Sequence, residues 1–483
     1  MATTQRNRII NKKYLGFILF SFLILLLPGI PFIVGLMLVW LSVGLTTLKS
    51  PSTGLVGICF MESFYGFVRW KEFTSVLLAG FSFEIVIIFL IGVILYTFKC
   101  KKREVKVKLS NIFNTVFLMY ILWLCIRSII YVDNLLEVGL VFRQFILMPL
   151  SFFAICFALR RNHELPKYIL MALCLGSASL ALINLVHYFY GLSIPWSRFF
   201  MINDNTIDCR ILFGFELARM YPLLLGQGPG GAGAFYMVHA VTSFGCLVFL
   251  KMNIFWKLVL IIAFCILIIA AVCTVAYSAF IVIPIALFVL VQQMKLNVKK
   301  IICVCLLFCL SILIIFGSII GGRGNYYKAS SYILDLSKYT FSVIPEFGSS
   351  KFVFGSGPAI KTGVLINADR GNKDLEMLKG SHDQWWFVVL NQMGIIGLLL
   401  AVLFVCLVII KYFKVVSSGF GEKHNSYLPC AGILFFCLFG YVHGFAFFVQ
   451  PFNFSFVIAL ALIMTSGSVI SLKMKANKAG KTV

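Results

Sequence analysis

The stretch NADRGNKDLEMLKGSHDQ (367–384) is dense in charge, and WWFVVLNQMGIIGLLLAVLFVCLVII (385–410), which follows it directly, carries none. At about 1.5 Å per residue the second run is longer than the ~30 Å hydrocarbon core of a bilayer, so it reads as a membrane-spanning helix from 385 to 411. Trp385 and Trp386 open it, as amphipathic rings do at a lipid boundary. His382 and Asp383 are thereby predicted to sit at a membrane surface, where a polar segment enters a helix.

The rest of the chain repeats this pattern. Of its 483 residues 61% are hydrophobic and 12% charged, with a mean hydropathy of +1.00. Soluble domains are about 45–50% apolar and about 25% charged, so the composition is that of a lipid-embedded chain. Further apolar runs lie near 14–27, 31–48, 54–70, 73–98, 111–131, 137–159, 167–190, 229–250, 254–272, 275–294, 300–320, 427–448 and 452–472. The predicted fold is all-α, a polytopic transmembrane helix bundle of roughly 12 to 14 spans at ~20 residues each, with 1–483 as one transmembrane domain. The range reflects the first run, which is short, and the third, which Glu62 interrupts; re-entrant pieces there keep the same parity. Fifty Phe among Ile and Leu runs, with no short alternating segments, exclude an outer-membrane barrel. The N-terminal run has no small-residue cleavage site and reads as a retained first span.

A net charge of +24 would suggest nucleic acid for a soluble protein, but its placement describes topology and no nucleic-acid partner is expected. Basic clusters at the N-terminus, 99–108, 160–161, 251–257, 295–300, 411–414 and the tail from Lys473 fall between alternate runs. Putting them all in the cytoplasm gives a self-consistent path with both termini inside. Most of the fifteen Cys lie within apolar runs, so neither a disulfide framework nor a metal-ligand spacing follows.

Two segments do not span, and both fall outside: a shorter loop, 191–228, and a large one, 321–384. The large loop is expected to carry short helices; SSYILDLSKYTFSVIP (330–345) has the spacing of an interfacial helix, and GSGP (355–358) is a turn. Arg127 and Arg143 lie roughly 8 to 9 Å below the same surface. There an arginine costs on the order of 2–3 kcal/mol unless paired or hydrated, so each either snorkels, pairs with Asp133, Glu137 or Glu84, or serves a site. Arg210, Arg219, Arg323 and His382 bring further cationic groups to that face. Several arginines together suit a diphosphate, which accepts bidentate bonds, better than a carboxylate.

The order of features resembles the bacterial O-antigen ligase and O-antigen polymerase superfamily over roughly residues 205–410. Arg219 ahead of GQGPGGAGA (226–234) is similar to the family's arginine before a Pro/Gly/Ala helix opening. TVAYSA (274–279), with Tyr277 where the family usually has arginine, stands for its Thr, Ser-Arg, Ala stretch. GGRGNYYKA (321–329) resembles the entry to the large periplasmic loop, GSG (355–357) its Gly-x-Gly turn, and SHDQWWFVVLNQMGIIGLLL (381–400) the pattern that closes it.

The resemblance implies an inner-membrane glycosyltransferase whose active site faces the periplasm. Its donor would be an undecaprenyl-diphosphate-linked oligosaccharide, and its acceptor a glycan on a lipid-linked repeat unit (a polymerase) or on lipid A core (a ligase). His382 would be the base, with Arg219 and Arg323, and next Arg210 and Arg143, on the diphosphate; Asp383 and Tyr277 would support them. The diphosphate is already a good leaving group and the external loops hold no carboxylate or His cluster of metal-binding form, so no metal or cofactor is expected. A flippase for lipid-linked oligosaccharide is the competing class. It would show internal repeats and broken midplane helices, and the sequence shows no repeat.

Overall fold

The computed structural model describes residues 10–25, 32–64, 81–99, 111–131, 146–160, 162, 164–190, 209–212, 215–218, 220, 229–274, 282–287, 289, 348–355, 385–417, 426–441 and 452–466. Its helices are α1 (Lys12–Leu25), α2 (Phe32–Lys49), α3 (Pro51–Met61), α4 (Phe81–Lys99), α5 (Asn111–Tyr131), α6 (Leu147–Arg160), α7 (Leu165–Tyr190), α8 (Pro229–Phe249), α9 (Ile254–Cys273), α10 (Ser350–Phe354), α11 (Trp385–Ser417), α12 (Leu428–Tyr441) and α13 (Phe452–Thr465). Among the described residues four stretches are long and apolar enough to cross a bilayer: Leu165–Tyr190, Gly231–Phe249, Ile254–Cys273 and Met393–Ser417. The protein is therefore a helical membrane bundle, as its apolar runs predict. The run at 300–320 and most of both predicted external loops lie outside the described residues.

Aromatic interdigitation ties the bundle where no hydrophobic force acts between helix and lipid. Phe113 and Phe117 of α5 meet Phe152 of α6 at 5.6 and 5.1 Å and Phe404 of α11 at 5.2 and 4.9 Å between ring centroids. Such pairs contribute about 0.5–1.5 kcal/mol each beyond their area. Across the bundle α8 packs on α7, α9 and α12, and α13 on α6 and α12.

Helix α3 is unlike the others. Ser50 caps it, its Oγ accepting from Thr53 N at 3.4 Å, and Pro51 at the first turn lacks the N–H that would go unbonded there. One non-helical residue thus separates it from α2, and it folds straight back: a β-carbon on Gly54 would run into Thr47. The helix is 11 residues long, about 17 Å, half of a bilayer core. Helices α1, α2, α4, α6 and α7 surround it, and all its residues except Phe60 are buried. It stops at Glu62, the residue that interrupts the third apolar run.

Registers between helices place the basic residues. Asn11 donates its N–H to Thr53 Oγ1 at 3.2 Å, setting Lys12, Lys13 and Lys49 around the start of α3. Gly92 meets Thr47, so α4 runs parallel to α2 and ends with Lys99 at the same end. Ser63 and Ser177 share a hydrogen bond of 2.9 Å, and Gly176 abuts the Phe60 carbonyl, so α7 runs parallel to α3 and starts there too. Lys167 Nζ then donates to the Lys251 carbonyl at 2.7 Å. The described lysines on these helices thus gather at one basic end.

The bundle is not purely helical. Cys209–Leu212 (β1) and Phe215–Ala218 (β2) pair antiparallel, Cys209 opposite Ala218 and Leu212 opposite Phe215. The hairpin lies within 191–228, the segment read from the sequence as a loop that does not span. Two four-residue stretches, CRIL and FELA, each with one charged residue, are separated only by Phe213 and Gly214, the spacing of a tight hairpin.

Candidate functional site

Two contacts at the end of the bundle away from Lys12, Lys13, Lys49, Lys99, Lys167 and Lys251, an end that carries Lys351 of α10, tie together stretches that the sequence singles out separately. Helix α9 starts beside Lys251 and ends at Cys273, about 30 Å further on at 1.5 Å per residue for its 20 residues. At that far end the N–H of Met220, itself buried, donates to the Cys273 carbonyl at 2.9 Å. The bond joins the residue after Arg219 to the residue before TVAYSA. Thr274 continues the chain there; its Oγ1 donates to the Ala271 carbonyl at 2.7 Å and its N–H to the Ala270 carbonyl at 3.2 Å, closing the helix. The hairpin β1–β2, with Arg210 opposite Leu217 in its ladder, immediately precedes this junction.

The second contact involves α5, α10 and α11. Ser349 caps the short helix α10 through its Oγ, which accepts from Phe352 N at 3.1 Å. Gly355 ends it at φ 81°, the start of the GSGP turn. Arg127, 6% exposed, donates from Nη2 to the Gly355 carbonyl at 2.6 Å. A charge-assisted bond of this kind contributes ~1.5–3 kcal/mol, comparable with the cost of burying the guanidinium. Arg127 is therefore neither snorkelling nor aimed only at a carboxylate; it holds the start of a turn that the sequence places in the large loop.

Opposite α10 the backbone of α11 breaks. Gly394 has φ 67° and ψ −174°, a conformation open essentially to glycine alone, and a β-carbon there would overlap the Val353 carbonyl. A broken helix frees carbonyls from their intrahelical partners, and Trp123 Nε1 donates to that of Met393 at 2.9 Å. Trp123 also lies against Phe354, ring centroids 6.1 Å apart. The expected single span 385–411 is thus two pieces. Trp385–Met393 is a separate helical segment, the crossing helix follows the kink, and the tryptophan pair precedes the span by more than two turns. In the sequence His382 precedes that first piece.

The residues expected to do chemistry fall largely elsewhere. Arg143, Arg219, Tyr277, Arg323, His382 and Asp383 lie outside the described residues, as do the large-loop acids Asp369, Asp374 and Glu376. Arg210 has a described backbone, in β1. The structure thus joins Met220, next to Arg219, to Cys273, the residue before TVAYSA, and seats Val353 and Gly355 against the kink of α11. Sequence reasoning missed the polar ties inside the bundle. His239 Nδ1 bonds the Phe235 carbonyl at 2.8 Å and its Nε2 meets Ser455 Oγ at 3.4 Å, while Asn184 Nδ2 donates to Tyr236 OH at 2.6 Å. Isolated polar residues in apolar runs give no hint of their partners. No protein-family model matches this chain, and no curated protein matches it significantly.

Proposed function

We propose that the protein is a glycosyltransferase of the bacterial inner membrane that takes its glycan from an undecaprenyl-diphosphate carrier at the bundle end away from the lysines. The observation behind this reading is the Met220–Cys273 bond, which joins the residue after Arg219 to the residue before TVAYSA, at the end where Arg127 and Gly394 also hold Gly355. By the charge rule the lysine end is cytoplasmic, so this end is periplasmic and both termini are inside. Arg219 and Arg323, with Arg210 and Arg143, neutralise the departing diphosphate. His382 accepts the proton of the attacking sugar hydroxyl, oriented by Asp383, and the anomeric centre inverts. The acceptor assigned is a second lipid-linked repeat unit, which makes the protein a polymerase.

One observation favours a second reading, a flippase for the same lipid-linked oligosaccharide: α3 is a half-helix ending deep in the bundle, and transporters build their sites on broken helices. Deleting the gene and resolving the surface glycan on a gel separates the two. Core capped with a single repeat is the expected result. Accumulated undecaprenyl-linked polymer identifies a ligase instead, and repeat units trapped in the cytoplasm identify a flippase and overturn the enzyme.

A further inference from the structure

The proposed glycosyl transfer leaves Glu62 unused. Its side chain is 2% exposed, and both carboxylate oxygens are buried with no hydrogen-bond partner among the described residues. An unpaired carboxylate in such a place costs several kcal/mol, so the group holds a proton or a cation whenever it is shut in. Its depth makes the choice of location more costly still. Glu62 follows Gly54 by eight residues, and Gly54 faces Thr47, so at helical rise Glu62 is about 12 Å beyond Thr47, level with Val39 and Trp40 on the antiparallel α2. Glu84 on α4, eight residues ahead of the Gly92 that also meets Thr47, belongs to the same level. The indole Nε1 of Trp40 is likewise buried without a partner among the described residues.

The surroundings favour positive charge. Glu62 is the residue on which α3 closes, its N–H donating to the Ile58 carbonyl, so the negative end of the helix dipole and its last carbonyls point to the same place. Ser63, the next residue, and Ser177 carry hydroxyls that bond each other at 2.9 Å. No three His, Cys, Asp or Glu converge among the described residues; with Glu62 as the acid whose side chain is described at that level, the oxygen donors there suit a monovalent cation. Other titratable or charged groups on the packed helices are Cys59 on α3 itself, Cys174 about a turn nearer the basic end of α7, Tyr14 on α1, Tyr96 on α4, and Tyr168, Tyr188 and Tyr190 on α7. Lys12, Lys13, Lys49, Lys99 and Lys167 stand at the basic end, Cys156 and Arg160 on α6, and His187 further along α7.

We propose that Glu62, with the closing carbonyls of α3, forms an intramembrane site for a monovalent cation, either a proton or a sodium ion. This does not rest on the glycosyl-transfer assignment and holds for either function. The test uses the full-length protein in phospholipid nanodiscs and dicyclohexylcarbodiimide, an apolar reagent that adds to protonated carboxyls in lipid-like surroundings. Peptide mass mapping should find an adduct on Glu62, formed at a rate that falls roughly ten-fold per pH unit above its midpoint. Replacing choline chloride with sodium chloride at fixed pH slows the reaction if sodium is the ligand and leaves it unchanged if the ligand is a proton. Glu62→Asp should keep the adduct and Glu62→Gln lose it. Absence of an adduct on wild-type Glu62 from about pH 6 to about pH 10, or a rate indifferent to both pH and sodium, overturns the site.

Discussion

Gly394→Ala tests the junction of α5, α10 and α11 at its tightest point. Alanine at φ 67° and ψ −174° is strained by about 1–3 kcal/mol. Its β-carbon would also strike the Val353 carbonyl and Gly355 N, backbone atoms that no rotamer change can move, and overpacking adds ~1–3 kcal/mol. The chain can escape the second cost by letting Ser349–Gly355 lift from α11. Lifting sacrifices chiefly the Arg127 bond to Gly355, about 1.5–3 kcal/mol. Since the two costs are matched, the docked segment should open far more often: about 1.4–2.8 kcal/mol of lost docking raises amide exchange in 348–355 by ~10- to 100-fold. Exchange read by mass spectrometry on the full-length protein in nanodiscs measures this, with Gly16→Ala as control because nothing lies within 4 Å of a β-carbon there. Exchange in 348–355 equal to wild type would show that Gly394 does not seat α10, and the argument would fail.

Arg127→Ala should act on the same segment by another route. It removes the bond to Gly355 but also the cost of a buried guanidinium, so the melting temperature should change little while exchange in 348–355 rises by ~10-fold or more. Combined with Gly394→Ala the increases should fall short of additive, because a segment already released cannot be released again. His382→Ala should insert and fold normally and lose ~10²- to 10⁴-fold in transfer from purified lipid-linked donor, as loss of a positioned base does; wild-type turnover would shift the search to Asp369, Asp374, Glu376 and Asp383.

How far the sequence reveals this molecule depends on the range of the interaction. Apolar runs set helix positions because lipid demands internal backbone bonding, and α5, α8 and α9 begin at the residues their runs begin with. Glu62 marks the break in the third run because a carboxylate is costly enough to be visible alone. The kink in α11 was not visible: Gly394 and Gly397 in an apolar run read as ordinary small residues, and only the Val353 carbonyl packed against Gly394 accounts for its backbone. Arg127 was visible as an anomaly without a partner, since its acceptor, the Gly355 carbonyl, is a backbone atom 228 residues away. Side-chain chemistry shows in a sequence; a carbonyl's availability is decided by the fold.

The two breaks in the helices have opposite surroundings, and that difference argues for separate roles. At Gly394 the freed carbonyl of Met393 is met by Trp123, and the facing turn by Arg127, so the polar groups at the break are bonded and the break reads as a fixed seat for a loop. At Glu62 a carboxyl is left with both oxygens unbonded among the described residues, between helices packed closely enough that Gly176 touches the Phe60 carbonyl. A bundle built on close packing retains an unsatisfied acid against a cost of several kcal/mol. Folding alone does not account for that, since glutamine or methionine would fill the volume at lower cost. The first break suits a fixed seat for a loop, and the second suits the cation site proposed at Glu62.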